Sequence, residues 1–578
     1  MLSPAPANAR MQAVVPLAIG VTSHRNIPVH EEAAVRARIR EFFATLRREF
    51  PGLPLLVLSS LAEGGDQWVA EEALAVGARL IAPLPMARSQ YAQDFTAAAA
   101  RARFDTLCNA AEIIEVPDVA GGTRGRRVDA PAGHKRDLHY AKAGVYISQH
   151  CHLLLAIWDG KASDRLGGTA QVVHYHLTGI RPEPGERRRG PASASLLGLD
   201  SERLVYHIVC SRDAADGAPA PPLRPLQTLW RAGDQLLSGD EPMPPQFHEM
   251  FAHAANFNAD CATYATPIEA VTCAQAPQDA VFGPLFHAAD WLAMHFQKRM
   301  LLAMRTLYTD AALMGIAFTV YDNLPEQDYM LYVFLLLFAV GGLVVVMANR
   351  RGWHRKYLDY RALAEGLRVQ SYWRRAGLSI TSDAEFARDN FLQKQDVELG
   401  WIRNVMRGAA LESTLTAAPV AAADLPNVIR EWVSDGGHGG QLDYYRRKGM
   451  QRARTHRRTE AIGTASLCVG IGISVALALL ASRLSTDAKN WLVVIMAVFS
   501  IVAGVRAAYA YKKADKELIK QYRFMHKLVA DARAALDRAA DDLDEQRDIL
   551  RLLGEAALAE HVEWALMHRQ RPLEHARL

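Results

Sequence analysis

The chain has 578 residues, half of them apolar and about a fifth charged, with a net charge of only +4. This length exceeds one compact domain and points to three or four. The composition excludes a disordered or collagen-like chain, and the small net charge gives no support for nucleic-acid binding. The six cysteines are scattered with no CxxC spacing. That suits reduced thiols and argues against a zinc site or a disulfide framework. The opening MLSPAPANARMQ has no apolar core of the kind a cleaved signal peptide carries.

In chain order, VVPLAIGV at 14–21 predicts a first strand, TSHRN a loop, and 31–49 a helix. Further strands are expected at 54–59, 78–83, 112–116, 152–158 and 204–209, with helices at 67–76 and 136–149. Near-continuous apolar strands alternating with helices predict an α/β domain with a mostly parallel sheet covered on both faces. The loops 22–26, 60–66 and 159–169 then share the strands' carboxyl edge, where such sheets bind ligands. The stretch 180–198, rich in Pro, Arg, Gly and Ser, is read as an exposed loop, and 216–225 is a second Pro-rich stretch. From 226 to about 300 the pattern is helical, with few strand signals.

Four apolar segments follow. Residues 329–348 and 461–481 are free of charge, while 303–321 contains Arg305 and Asp310, and 491–511 contains Arg506. Twenty helical residues at about 1.5 Å each match a hydrocarbon core of roughly 30 Å. The links DNLPEQD and SRLSTDAKN are poor in basic residues, whereas every outer flank is rich in them. The positive-inside rule places both termini in the cytoplasm and the chain in the inner (cytoplasmic) membrane as a multi-pass protein. The tail at 512–567 reads as one or two amphipathic helices, a stalk or an oligomerisation element. The expected division is an α/β domain at 1–225, a helical connector at 226–300 and a first hairpin module at 301–380. A cytosolic linker at 381–458 and a second hairpin with its cytosolic helix at 459–578 complete it.

The first loop carries Gly20, Thr22, His24 and Arg25: a glycine permits close approach and an arginine forks onto phosphate, although the same pattern also makes an ordinary turn. The second carries Ser60, Glu63, Gly64, Gly65 and Asp66; the glycines offer backbone donors, and the carboxylates suit ribose hydroxyls or a polarised water. Asp66 alone is also a plausible helix cap. The third loop, at the end of the apolar strand 152–158, carries Asp159, Gly160, Gly167, Gly168, Thr169 and Gln171. A strand feeding a glycine-rich turn into a helix presents N–H groups to an anion. The twenty histidines include HYH at 175–177 but no spaced ligand set, so no metal is expected.

Taken together, GVTSHR, SLAEGGD and WDG with GGTA resemble the SLOG superfamily, which joins the DNA-processing protein family to the LOG phosphoribohydrolases. The resemblance spans about 14–210 and implies a Rossmann-like domain that binds nucleotides or nucleotide-derived signals. It also implies that Arg136 and Tyr140, with Lys135 before them, lie near the ligand, on a helix face that could equally be solvated. The apolar half, with KYLDYRALAEGLRVQSYWRRAG at 356–377 and LLGEAALAEHVEWALMHRQRP at 552–572, resembles the SLATT membrane effector modules, here in tandem. The catalytic branch of the superfamily follows its glycine loop with a Glu; this chain has Gln171, which cannot titrate but can hydrogen-bond a base or ribose.

The expected function is a membrane effector of bacterial defence or conflict: a sensor of a nucleotide-derived messenger that opens a pore as a homo-oligomer in the lipid bilayer. No other cofactor and no nucleic-acid partner is expected. The alternative is a membrane-tethered hydrolase of N-glycosidic bonds in nucleotides, with Glu63 and Asp66 as acid and base.

Overall fold

The computed structural model describes residues 14–116, 132–163, 165–179, 203–233, 235–274, 282–324, 326–378, 391, 399–415, 424–434, 440–480 and 482–569. The loop expected at 180–198 and the side chain of Lys135 lie outside the described residues. The chain forms two compact units: Met1–Leu285 with Arg388–Pro419, and Phe286–Ala387 with Val420–Leu578.

The first unit is an α/β domain. Its strands are β1 (Leu17–Ser23), β2 (Leu55–Leu58), β3 (Arg79–Leu84), β4 (Glu112–Glu115), β5 (Leu153–Trp158), β6 (Val205–Val209), β7 (Thr228–Ala232) and β8 (Gln235–Ser238). They form one sheet in the order β4-β3-β2-β1-β5-β6-β7-β8. β1 to β6 run parallel, and β7 and β8 add an antiparallel hairpin at one edge. This hairpin departs from the helical pattern expected after 226. Its strands are four and five residues long and only β7 is mostly buried, so neither produces a long apolar run.

Among the helices of this unit, α1 is Val29–Glu49, α2 Gly65–Ala75, α3 Arg88–Tyr91, α4 Ala98–Ala110, α5 Ala132–His150 and α6 Thr169–Thr178. α7 (Pro245–Thr263) and α8 (Ala265–Ala274) follow β8. α1 buries Val35, Ile39, Phe43 and Leu46, an apolar stripe at helical spacing that faces the sheet. On the opposite face, alternate strand residues Ala18, Leu56, Leu58, Leu154 and Ala156 pack with Ile147 and Cys151 of α5 and Val172, Val173 and Leu177 of α6. Right-handed crossovers require this arrangement, because the chain reverses direction across the sheet after β4.

A late segment completes the unit. Helix α12 (Gly400–Leu415) contributes Leu411 to the same core. His152 ties it to β1: Ala18 N–H donates to His152 Nδ1 at 3.2 Å, and Nε2 lies 3.1 Å from Asn404 O. Arg79 bridges Glu112 and Glu412.

The second unit is all helical. α9 is Phe282–Asn323, α10 Tyr329–Arg350, α11 Trp353–Arg375, α13 Leu425–Val433, α14 Gln441–Leu480, α15 Thr486–Lys512, α16 Asp515–Arg538 and α17 Leu543–Arg569. Four of its helices are long and apolar enough to cross a membrane: α9, α10, α14 and α15. They leave large apolar side chains bare, with Tyr332 74% and Leu343 66% exposed. Water does not tolerate such a surface, and lipid does. The two hairpins touch: Tyr308 stacks edge-on against Tyr509, and a Cβ on Gly315 would lie 3.0 Å from Ile501. Asp310 is buried against Gly341, where a Cβ would come within 2.6 Å of its carboxylate.

The hairpins follow one plan. A helix of 42 residues (α9) or 40 (α14) is answered by one of 22 (α10) or 27 (α15). A left-handed residue then breaks the chain, Gly352 at φ 58 and Ala514 at φ 51. Each break follows two basic residues, Arg350–Arg351 and Lys512–Lys513, and leads into a helix of 23 (α11) or 24 (α16) residues. These helices and α17 form a polar-surfaced bundle around Trp373, whose Nε1 donates to Leu550 O at 3.3 Å.

Candidate functional site

Strand order reverses between β1 and β5, since β2 follows β1 on one side and β5 adjoins it on the other. Such a switch point opens a crevice at the carboxyl ends of the two strands. β1 ends at Ser23 and β5 at Trp158.

Two helix N-termini meet there. Gly64, at φ 93, turns the chain from β2 into α2, and a Cβ on it would lie 2.5 Å from Arg25 O. A Cβ on Gly65 would lie 2.8 Å from Ser23 Cβ, so glycine lets α2 start directly against β1. From the other side, Thr169 at the start of α6 donates its hydroxyl to Ser23 O at 2.8 Å. The positive ends of both helix dipoles therefore flank one strand end.

His24 and Asp159 close the crevice. His24 Nε2 lies 3.1 Å from Asp159 Oδ1, and the carboxylate also accepts Lys161 N–H at 3.1 Å. Asp159 is 1% exposed, and Arg212 stands 4.0 Å from its other oxygen. Burial lowers the His24 pKa from its ordinary value, outweighing Asp159, so the ring is neutral at neutral pH. His24 Nε2 is buried beside this carboxylate and has no hydrogen-bond partner among the described residues.

Asp66 is 5% exposed, and burial raises its pKa to about 6; Ser23, the backbone at Ala62, and Arg25 oppose the shift. Its Oδ1 is buried without a hydrogen-bond partner among the described residues. Arg25 is exposed at the mouth, its guanidinium 5.0 Å from the centre of the Tyr140 ring. The crevice thus combines helix N-termini, the cations Arg25 and Arg212, a neutral imidazole and the buried carboxyl groups of Asp66 and Asp159. That set suits a phosphate-bearing ligand with polar groups beyond the phosphate.

The other expected residues are placed as follows. Thr22 is buried within β1 beside the crevice, and Glu63 lies half-buried in the turn before α2. Gly20 does not face the crevice: a Cβ there would lie 2.8 Å from Cys151 Sγ, so its small size admits α5 against β1. Ser60 donates to Pro83 O at 2.9 Å and joins the β2 loop to β3. Gly160, at φ 79, packs under Leu223, where a Cβ would come within 2.3 Å. Gly167, at φ 74, abuts Tyr140 and Ala141 of α5, and Gly168 caps α6. Gln171 closes its own loop by accepting Gly167 N–H at 2.6 Å, which commits the oxygen expected to read a base or ribose.

Arg136 and Tyr140 converge on a residue sequence reading did not single out. Arg136 bonds Asp94 and donates to Gln90 O at 3.1 Å, while the Tyr140 hydroxyl also donates to Asp94. Arg136 is thereby neutralised, and Tyr140 serves as a platform for Arg25. Tyr91 packs edge-on against Phe104, and its hydroxyl is buried without a partner among the described residues. Arg212 was missed too, although it follows β6 at the same sheet edge. The segment 211–226 lies across this edge: Asp213 N–H donates to Asn26 O at 2.8 Å and Ala220 N–H to Asp159 O at 2.7 Å.

No family model matches this chain, and no curated protein or solved structure matches it.

Proposed function

We propose that this chain is a ligand-gated membrane effector. Its α/β unit binds a nucleotide-derived messenger at the switch point between β1 and β5, and its four apolar helices breach the membrane as a homo-oligomer. The observation that carries the ligand half is the meeting of the α2 and α6 N-termini at Ser23, with Arg25 beside them. Backbone donors at helix starts favour a phosphate, and a neutral His24 with buried Asp66 favours a ligand with further polar groups. The observation that carries the membrane half is the bare apolar surface of four long helices.

Two resemblances support the same reading, a nucleotide-signalled defence effector: the three loops to SLOG domains and the apolar half to SLATT modules. The basic flanks support insertion in the inner membrane with both termini cytoplasmic. Gln171, where the catalytic branch has an acid, favours a ligand that is read and left intact.

Thermal unfolding of the full-length protein in detergent, against a panel of nucleoside phosphates, cyclic nucleotides and ADP-ribose-type compounds, tests the ligand half. A ligand at a hundred times its Kd adds about 2.7 kcal/mol, a shift of several degrees. A flat response across the panel removes the ligand half.

One feature favours a second reading, an enzyme that cleaves nucleotides. Burial raises the Asp66 pKa to about 6, and its Oδ1 has no hydrogen-bond partner among the described residues, which suits a general acid. Product formation from a bound nucleotide, lost in Asp66→Asn with binding retained, decides for it.

A further inference from the structure

The helical unit holds a cavity of ≈ 150 Å³ where the two chain breaks come together. That is many times the space one water needs. Arg452 of α14, Lys512 at the end of α15, the following Lys513, and Tyr357 of α11 line it, and among the described residues no carboxylate does. Asp515 stands close by, 3.1 Å from Arg452 and 3.8 Å from Lys513. It holds these two cations in place along one edge. Gln297 Nε2 donates to the Tyr357 hydroxyl at 2.9 Å, which leaves the phenol proton to donate. His354 and His568 also line it, and the rest of the wall is apolar, with Met300, Met304 and Leu518 buried there. Leu302 and Tyr511, adjacent in sequence to lining residues, are 65% and 70% exposed.

We propose that this cavity binds the phosphate of an anionic lipid headgroup where the spans leave the membrane. Cationic and hydroxyl donors converge on one space, as a phosphate requires, and point-charge lysines with a forked arginine suit its several oxygens. The apolar wall and the bare side chains next to it continue into the surface that acyl chains would cover. Basic pockets between spans on the cytoplasmic side are where such headgroups dock. Each hairpin supplies part of the site, so an occupied headgroup clamps the two together. A soluble phosphate shares the headgroup's chemistry and is the competing source.

The proposal rests on the four apolar helices being membrane spans. Full-length protein is placed in nanodiscs of phosphatidylcholine with and without phosphatidylglycerol. Native mass spectrometry then counts the anionic lipid each chain retains. Arg452→Gln with Lys512→Gln lowers that retention at least about tenfold, equivalent to about 1.4 kcal/mol. Arg446→Gln with Arg447→Gln, which removes exposed cations away from the cavity, leaves it unchanged. Arg452→Lys with Lys512→Arg keeps the lipid, which separates lost charge from lost folding. Retention that survives excess inorganic phosphate supports a lipid; displacement by phosphate overturns the lipid assignment in favour of a soluble anion. Equal retention by the glutamine variant overturns the site altogether. Failure to enter nanodiscs overturns the membrane reading, and this proposal with it.

Discussion

His24 Nε2 and Asp159 Oδ1, 3.1 Å apart, join the ends of β1 and β5 across the point where the sheet reverses its order. These residues are 135 positions apart in the sequence. The contact sets the imidazole and the carboxylate side by side at the strand ends, near the two helix N-termini.

Asp159→Ala therefore harms both folding and binding. It strands the Lys161 N–H and removes the carboxylate beside His24, and a lost buried hydrogen-bond partner costs roughly 1–3 kcal/mol. Urea unfolding followed by tryptophan fluorescence, with Trp158 next to the site, reads the loss. Asp159→Asn keeps the shape and destabilises less, yet loses the ligand-induced shift in Tm.

The α/β unit should weaken in mild acid. His152 is held neutral by geometry, since Nδ1 accepts Ala18 N–H and Nε2 faces Asn404 O. Burial lowers its pKa to about 3 and that of His207 to about 4, from an ordinary 6.5. His24 and His176 shift the same way, again through burial. Below pH 6.5 the unfolded chain takes up protons that the folded chain refuses. Stability is thus full above 6.5 and is lost progressively toward pH 4 and 3. Urea midpoints across that range show the fall, and His152→Gln flattens it while lowering stability at neutral pH.

Asp66 carries the opposite sign. Its folded pKa, about 6, lies above the ordinary 3.8. Ionisation of the unfolded chain between pH 3.8 and 6 costs stability, and the cost persists above 6. Asp66→Asn removes it, and a gap of about two units corresponds to at most roughly 3 kcal/mol. The expected outcome is a variant more stable at pH 7 that no longer binds the ligand normally, a trade typical of functional sites. Melting curves at neutral and acid pH check both parts.

Adjacent glycines separate folding from binding. Gly167 has φ 74, and a Cβ would lie 2.7 Å from Tyr140 Cβ, so Gly167→Ala costs roughly 1–3 kcal/mol in strain and overpacking. Gly168 has an ordinary φ of −77 and its nearest obstacle is Arg165 O at 3.1 Å. Gly168→Asp is expected to fold, and its carboxylate occupies the α6 N-terminus where an anionic ligand would sit. Its Tm without ligand stays near wild type while the ligand-induced shift disappears.

Much of the sheet was legible because β1, β2, β3, β5 and β6 are short apolar runs that need no partner to be recognised. The β7–β8 hairpin was not, because TLWRA and QLLS alternate too briefly at an exposed edge. Nor was α12: its apolar stripe is visible, but nothing in the sequence says that Leu411 completes a core begun at Ala18. The site followed the same division. Loops at the strands' carboxyl ends were found by the rule of the sheet edge. Whether a glycine opens space for a ligand or for a helix depends on which face its Cα presents, and Gly20 serves α5. Likewise Gln171 had a donor four residues earlier, Gly167 N–H, that no motif announces. Asp94, the shared partner of Arg136 and Tyr140, lies in a segment without any motif.

Dye release from liposomes carrying the full-length protein tests the central claim most directly. The account predicts release on addition of one class of nucleotide-derived ligand, none without it, and none from Gly168→Asp under the same conditions. Liposomes that contain inserted protein and stay sealed under every nucleotide, or that leak equally without one, contradict it.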